Sequence, residues 1–175
     1  MPNYCNYEMK IKGRKENVDK FASYVQADYS YDEIINENNN KEAVYKELTA
    51  DKHFYRIFEA CIIDEEIFEN GDSEVIISGY CAWSISSCMT DDFFSYYKRN
   101  EELVNHKGTH LVEATKELDV VVEIFSEEPG VGFMEHYLVN RGDMIVDECA
   151  SYTEEYDEET DECIYHGGIE WEYAI

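Results

Sequence analysis

Apolar and polar side chains alternate along Cys5–Lys12, which is the two-residue period of a β-strand with one buried side. Over Asn17–Ala27 the apolar side chains recur instead at intervals of three and four residues, which predicts an amphipathic helix. Val120–Phe125 is almost entirely apolar and therefore predicts a strand at the centre of a sheet. The pattern thus predicts a strand and a helix at the start and a central strand later in the chain.

Two hairpins are predicted where turn-forming residues separate strand-like segments, first at Asn70–Ser73 and again at Asn140–Asp143. The paired segments are Phe54–Ile63 with Glu74–Ser86, and Phe133–Val139 with Met144–Ser151. Between the hairpins, Thr109 is a suitable N-cap for a second helix. The residues at its predicted buried positions are Leu111, Val112, Thr115 and Leu118.

This order of elements predicts a single domain over residues 1–175 of the α+β class, with a ferredoxin-like split βαβ antiparallel sheet. The right-handed crossover rule puts two helices on one face of that sheet and leaves the other face free. Extra C-terminal β-hairpins extend the sheet.

Two segments lie outside this predicted core. Residues 29–52 are predicted to be a surface insertion, with a short helix over Lys41–Leu48. Residues 152–175 are predicted to be an acidic C-terminal extension. In that extension residues 154–162 form a solvated loop, and Cys163–Tyr165 pairs with Ile169–Tyr173.

The composition excludes two broad classes of protein. The 175 residues are 44% hydrophobic and 14% aromatic, which is too rich in core-forming residues for a disordered acidic chain. The formal net charge is −26, from 40 acidic and 14 basic residues. A protein that binds nucleic acid directly through phosphate contacts needs the opposite excess. We therefore expect no direct binding of nucleic acid and none of anionic membrane.

The N-terminal residues and the cysteines bear on the compartment. No basic region followed by an apolar region opens the chain, so we expect no signal peptide and a location in the cytosol of the host cell. The even number of cysteines permits disulfides, but a cytosolic chain of this size is expected to keep them as reduced thiols. No apolar segment is long enough to span a bilayer.

Three segments carry a resemblance to a known family. They are Pro2-Asn3-Tyr4-Cys5-Asn6 with Ile11-Lys12-Gly13, then Ala82-Trp83-Ser84, then Glu127-Glu128-Pro129-Gly130-Val131-Gly132-Phe133. In this order they resemble the YubB ferredoxin-like domain proteins of phages and plasmids. The resemblance implies a ferredoxin-like fold and a mobile-element origin, but no activity and no catalytic residues. The chain departs from the family at Ile85-Ser86, where the family has two prolines.

The cysteines, histidines and acidic residues do not form a recognisable catalytic or metal-binding motif. The nearest cysteines, Cys81 and Cys88, are too far apart for a zinc knuckle. Residues 157–161 resemble part of a calcium loop, but Glu162 stands where the EF-hand needs glycine. We therefore expect no cofactor and no dedicated metal site.

The negative charge is concentrated in the second part of the chain. Residues 1–63 hold 9 basic and 11 acidic residues, whereas residues 64–175 hold 5 and 29. The candidate partner-binding residues are Glu154, Glu155, Asp157, Glu158, Glu159, Asp161 and Glu162, supported by Asp64, Glu65 and Glu66. Acidic side chains on neighbouring strands can approach the charge density of a nucleic-acid backbone.

From this charge we expect a non-enzymatic, phage-type inhibitor that mimics DNA or RNA. Its expected partner is a cationic nucleic-acid-binding protein or ribonucleoprotein of a host defence system, with a CRISPR effector as the first candidate. Two alternatives remain open. One is an interaction module that assembles through a sheet edge or face, its charge serving solubility. The other is a small hydrolase with a Cys/His or carboxylate–metal site formed only in space.

Overall fold

The computed structural model describes residues 4–90, 103–157 and 162–175. Its helices are α1 (Lys15–Val25), α2 (Ser86–Met89) and α3 (Leu111–Glu117). Its strands are β1 (Tyr4–Arg14), β2 (Tyr29–Ile35), β3 (Lys41–Leu48), β4 (His53–Phe54), β5 (Ile57–Ile67), β6 (Asp72–Ala82), β7 (Gly108–Thr109), β8 (Val121–Glu128), β9 (Phe133–Asn140), β10 (Asp143–Asp157) and β11 (Glu162–Gly167). The protein is therefore of the α+β class, as predicted.

Seven strands form the main sheet in the order β11-β10-β9-β8-β1-β6-β5. Each neighbouring pair is antiparallel. Strand β8 stands at the middle of the seven, which confirms the central strand predicted from its apolar sequence. Both predicted hairpins are also confirmed, as β5–β6 and β9–β10.

The hydrophobic core lies on one face of this sheet. Cys5, Tyr7, Met9 and Ile11 of β1 point into it and are at most 2% exposed. They belong to one buried cluster with residues of α1 and of α3, so both helices cover the same face. We call this side of the sheet the helix face and the opposite side the far face.

The C-terminal segment Ile169–Ile175 crosses the far face. Its Trp171 ring stacks on Phe125 of β8, with ring centroids 5.7 Å apart. Gly167 and Gly168 have φ values of 87° and 84°, and this left-handed backbone turns the chain away from β11. The prediction of a free second face is therefore wrong at the centre of the sheet. The predicted pairing of Cys163–Tyr165 with Ile169–Tyr173 is also wrong, because β11 pairs with β10.

Three further local predictions are wrong. Lys41–Leu48 is strand β3 rather than a helix, because it pairs along its length with β2. The solvated loop predicted at 154–162 is strand where it is described, since β10 continues to Asp157. Thr109 is not the helix N-cap, because it belongs to β7, where it pairs with Phe54 of β4. His110 takes the capping position.

Within the described part of the chain, no helix is long and apolar enough to cross a membrane.

Gly79 of β6 provides a test of the packing between β1, β6 and β5. A Cβ atom at this position would lie 2.7 Å from the Tyr7 hydroxyl oxygen and 3.0 Å from the Phe58 carbonyl oxygen. We expect Gly79→Ala to lower the free energy of unfolding by about 2 kcal/mol, because backbone as well as side chain must move. Urea denaturation measures this difference.

The neighbouring Ser78→Ala is the matched control, since Ser78 is half-buried on the far face and its change should stay within about 0.5 kcal/mol. Equal stability of the two variants would contradict the packing described here.

Candidate acidic interface on the far face

Carboxylates dominate the far face of the main sheet. Cross-strand partners in an antiparallel pair point to the same side, so the pairing register assigns each side chain to a face. Apart from the first and last residue of each strand, eight paired carboxylates and two paired lysines point to the far face. The carboxylates are Glu8, Asp64, Glu66, Glu74, Glu123, Glu127, Glu148 and Glu154, and the lysines are Lys10 and Lys12.

The two lysines do not neutralise this face evenly, because both contact the same carboxylate. Lys10 Nζ lies 2.9 Å from Glu74 Oε1, and Lys12 Nζ lies 3.5 Å from Glu74 Oε2. Positive charge is therefore gathered around Glu74.

Neutral donors hold the central carboxylates in place. The Tyr173 hydroxyl donates to Glu8 at 2.8 Å, and the Tyr152 hydroxyl donates to Glu127 at 2.9 Å. Burial and the hydrogen-bonded Glu8 raise the pKa of Tyr173, and burial and Glu127 raise that of Tyr152. Both hydroxyls therefore keep their protons at neutral pH. These contacts orient the carboxylates without cancelling their charge.

Glu123 is the buried anchor of the C-terminal segment. It is fully buried on β8, and its Oε2 accepts the backbone N–H groups of Ala174 at 2.7 Å and Ile175 at 3.2 Å. Its Oε1 lies 2.8 Å from His136 Nε2. The Ile175 carbonyl oxygen also accepts a hydrogen bond from Lys10 Nζ at 3.2 Å. Because this buried carboxylate accepts hydrogen bonds from two backbone N–H groups of the C-terminal segment, it fixes that segment across the sheet.

Four exposed carboxylates flank the central carboxylates Glu8, Glu123 and Glu127, two on each side. Asp64 and Glu66 lie on β5 at one edge of the sheet, and Glu148 and Glu154 lie on β10 near the other. Five strand spacings separate β5 from β10, which corresponds to about 24 Å. The negative charge therefore extends across the sheet rather than forming one compact patch.

The structure divides the carboxylates predicted from sequence between the two faces. Asp64, Glu66 and Glu154 lie on the far face. Three others point to the helix face: Glu65, Glu155 and Asp157. Glu65 Oε1 lies 3.1 Å from Lys15 Nζ, and Glu155 Oε2 lies 3.2 Å from His166 Nε2.

The remaining predicted residues fall at the turn between β10 and β11. Glu158, Glu159 and Asp161 lie outside the described residues. Glu162 begins β11, where its backbone pairs with Asp157. The two predicted clusters, around residue 64 and around residue 155, lie at opposite edges of the main sheet.

Sequence reasoning missed most of the far-face carboxylates. Glu74 and Glu148 adjoin the acidic clusters around residues 64 and 155 but are not among the candidate residues, whereas Glu8, Glu123 and Glu127 lie outside both clusters. The signal that could have found them is their alternation with apolar neighbours inside the predicted strands, as for Glu8 between Tyr7 and Met9.

A second polar cluster joins the β2–β3 hairpin to the rest of the protein. The Lys107 N–H donates to the Tyr45 hydroxyl at 2.8 Å, and the oxygen of that hydroxyl lies 3.1 Å from His53 Nε2. His106 Nδ1 likewise accepts from the Gly108 N–H at 2.7 Å. An imidazole nitrogen that accepts a hydrogen bond carries no proton, so the His106 ring is neutral here. Burial lowers the pKa of His53 to about 4 and also lowers that of His106.

This cluster has the hydrogen bonds of a structural joint. Its histidine nitrogens are occupied by tyrosine hydroxyls and backbone groups. Across residues 4–90, 103–157 and 162–175, no group of three or more His, Cys, Asp or Glu side chains is arranged to hold a metal ion.

Comparisons of the chain with protein-family models, with curated proteins and with solved structures find no match. The functional proposal therefore depends on the charge and geometry of the far face.

Replacing Glu123 tests whether it anchors the C-terminal segment. In Glu123→Ala the N–H groups of Ala174 and Ile175 lose their acceptor, so we expect their hydrogen exchange to accelerate at least tenfold, to be measured by NMR. Glu172→Ala is the control, because Glu172 is an exposed carboxylate of the same segment. Unchanged exchange in Glu123→Ala would show that other contacts hold the segment.

The neutral His53 makes a prediction about pH. The ring is protonated near pH 6.5 in the unfolded chain but only near pH 4 in the folded protein, so protonation favours unfolding as the pH falls between these values. Between pH 7 and pH 4.5 we expect the wild-type protein to lose roughly 2 kcal/mol relative to His53→Gln. The carboxylates titrate in both proteins, so their contributions to the free energy of unfolding cancel in this difference.

Chemical denaturation of both proteins across this pH range gives the measurement. Stability curves that stay parallel would show that the burial of His53 does not keep its ring neutral.

Proposed function

We propose that this protein is a non-enzymatic inhibitor whose far face imitates the charge of a nucleic acid. The observation that carries the proposal is the excess of carboxylates over two lysines on one face of one sheet, where seven of the eight carboxylates, all but the buried Glu123, are half-buried or exposed. The partner is a cationic nucleic-acid-binding protein or ribonucleoprotein of a host defence system, such as a CRISPR effector. The far face occupies the groove in which that partner holds DNA or RNA.

The spacing of the carboxylates supports this mimicry. Side chains on one face of a strand recur about every 6.6 Å, and neighbouring strands lie about 4.8 Å apart. Phosphates follow one another about every 3.4 Å of axis along each nucleic-acid strand. Carboxylates on adjacent strands, such as Glu8 on β1 and Glu127 on β8, therefore approach the charge density that a phosphate-binding groove is built to accept.

The fixed orientation of the central carboxylates also supports the proposal. Glu8 and Glu127 are held by tyrosine hydroxyls, so less conformational entropy is lost when they pair with lysine or arginine of the partner. Charge-assisted pairs with arginine are the strongest hydrogen bonds available to such a surface. Association through it is fast and weakens as salt is added.

The strand order supports a ferredoxin-like core for this inhibitor. Four neighbouring strands of the main sheet stand in the spatial order β8, β1, β6, β5. In chain order they are the fourth, the first, the third and the second of these four strands. Helix α1 lies between the first and second strands in the chain, and α2 and α3 lie between the third and fourth. We therefore propose a ferredoxin-like core extended by β9, β10 and β11. Together with the YubB resemblance, this favours a phage or plasmid origin and action in the host cytosol.

Two charge-reversal variants test the mimicry with equal changes in net charge. Asp64→Lys with Glu154→Lys alters the far face, whereas Glu65→Lys with Glu155→Lys alters adjacent residues that point to the helix face. A mobility-shift assay measures how each protein competes with target DNA for CRISPR effector complexes. We expect the wild-type protein to displace DNA from at least one effector, the far-face variant to lose at least tenfold in potency, and the helix-face variant to retain most of it.

Equal losses in both variants would mean that net charge alone drives the inhibition. Failure of the wild-type protein to displace nucleic acid from any effector tested would contradict the proposed partner class.

A further inference from the structure

Strand β5 forms one edge of the main sheet and is exposed along most of its length. It pairs with β6 on one side, and among the described residues no strand pairs with its other side. Ile62, Ile63 and Ile67 are 43%, 52% and 58% exposed. An edge strand presents unpaired backbone N–H and C=O groups, which makes it a template for another strand.

The side chains of β5 separate by face. Asp64 and Glu66 point to the far face, whereas Ile62 and Ile67 point to the helix face. Glu65 also points to the helix face, where it is paired with Lys15. A strand added at this edge would meet Asp64 and Glu66 on one of its faces, and Ile62, Ile67 and the Lys15-paired Glu65 on the other.

A second copy of this chain does not suit the edge. Antiparallel pairing of two β5 strands about residue 65 would place Asp64, Glu65 and Glu66 opposite the same three carboxylates. Like charges directly opposite one another destabilise a strand pair.

We propose that the β5 edge binds an extended segment of the partner protein as an added strand, in which lysine or arginine alternates with apolar residues. Backbone hydrogen bonds to β5 supply affinity, and the alternation supplies specificity. The cations pair with Asp64 and Glu66, and the apolar side chains pack on Ile62 and Ile67. This inference rests on the proposed function, since it names the element through which a cationic partner is held.

The probe is a labelled peptide with the sequence Lys-Val-Lys-Val-Lys-Val-Lys, acetylated and amidated at its ends. The control peptide has the same sequence with an N-methyl group on every backbone nitrogen, so it keeps the charge but cannot donate backbone hydrogen bonds along either edge. Fluorescence anisotropy at physiological salt measures binding of both peptides to the full-length protein. We expect the N-methylated peptide to bind at least tenfold more weakly, and the unmodified peptide to slow hydrogen exchange at Asp64–Ile67.

Two variants with the same change in charge locate the site. Asp64→Lys with Glu66→Lys should weaken binding of the unmodified peptide at least tenfold. Glu113→Lys with Glu155→Lys changes exposed positions on α3 and on the helix face of β10, and should change binding less than threefold.

Three results would overturn the inference. One is equal binding of the two peptides, which would leave charge attraction and the proposed function intact but exclude an added strand. Another is no binding of the unmodified peptide at millimolar concentration. The third is a dimer in sedimentation that Ile62→Lys dissociates, which would make a second copy the occupant.

A fourth combination of results would refute the proposed function alone. In it the peptides bind as expected, but the far-face variant displaces nucleic acid as well as the wild-type protein does.

Discussion

The pairing register of β1 with β6 and β8 determines which side chains reach each face of the sheet. Successive residues of a strand point to opposite sides, so the register that buries Met9 and Ile11 against the helices also sends Glu8 and Lys10 to the far face. A slip of one residue would bury the charged set and expose the core set. The hydrophobic core and the acidic face are therefore two consequences of one register, and the free energy of core burial holds the carboxylates in place.

Gathering like charges on one face opposes folding, and the structure offsets this repulsion locally. Lys10 and Lys12 pair with Glu74, while Glu123 is satisfied by backbone N–H groups of the C-terminal segment. The backbone donors are neutral, so they stabilise Glu123 without cancelling its charge. The proposed binding of a cationic groove gives the arrangement a use.

Local patterns predicted the elements whose burial they encode, and they failed where distant residues decide the structure. The alternation at Cys5–Lys12 predicts β1, and the apolar run at Val120–Phe125 predicts β8. Lys41–Leu48 is composed largely of good helix formers, yet pairing with the aromatic and β-branched β2 makes it a strand. The same limit applies to the site. Acidic runs in the sequence identified only the margins of the far face, because its centre is assembled from single glutamates on different strands.

A structure of the protein bound to its target, determined by electron cryomicroscopy, tests the central claim most directly. The account predicts lysine or arginine side chains of the target, the same ones that otherwise hold phosphates, within about 4 Å of far-face carboxylates such as Glu127, Glu148 and Glu154. A complex in which these carboxylates face bulk solvent while neutral side chains elsewhere make the contact would contradict it.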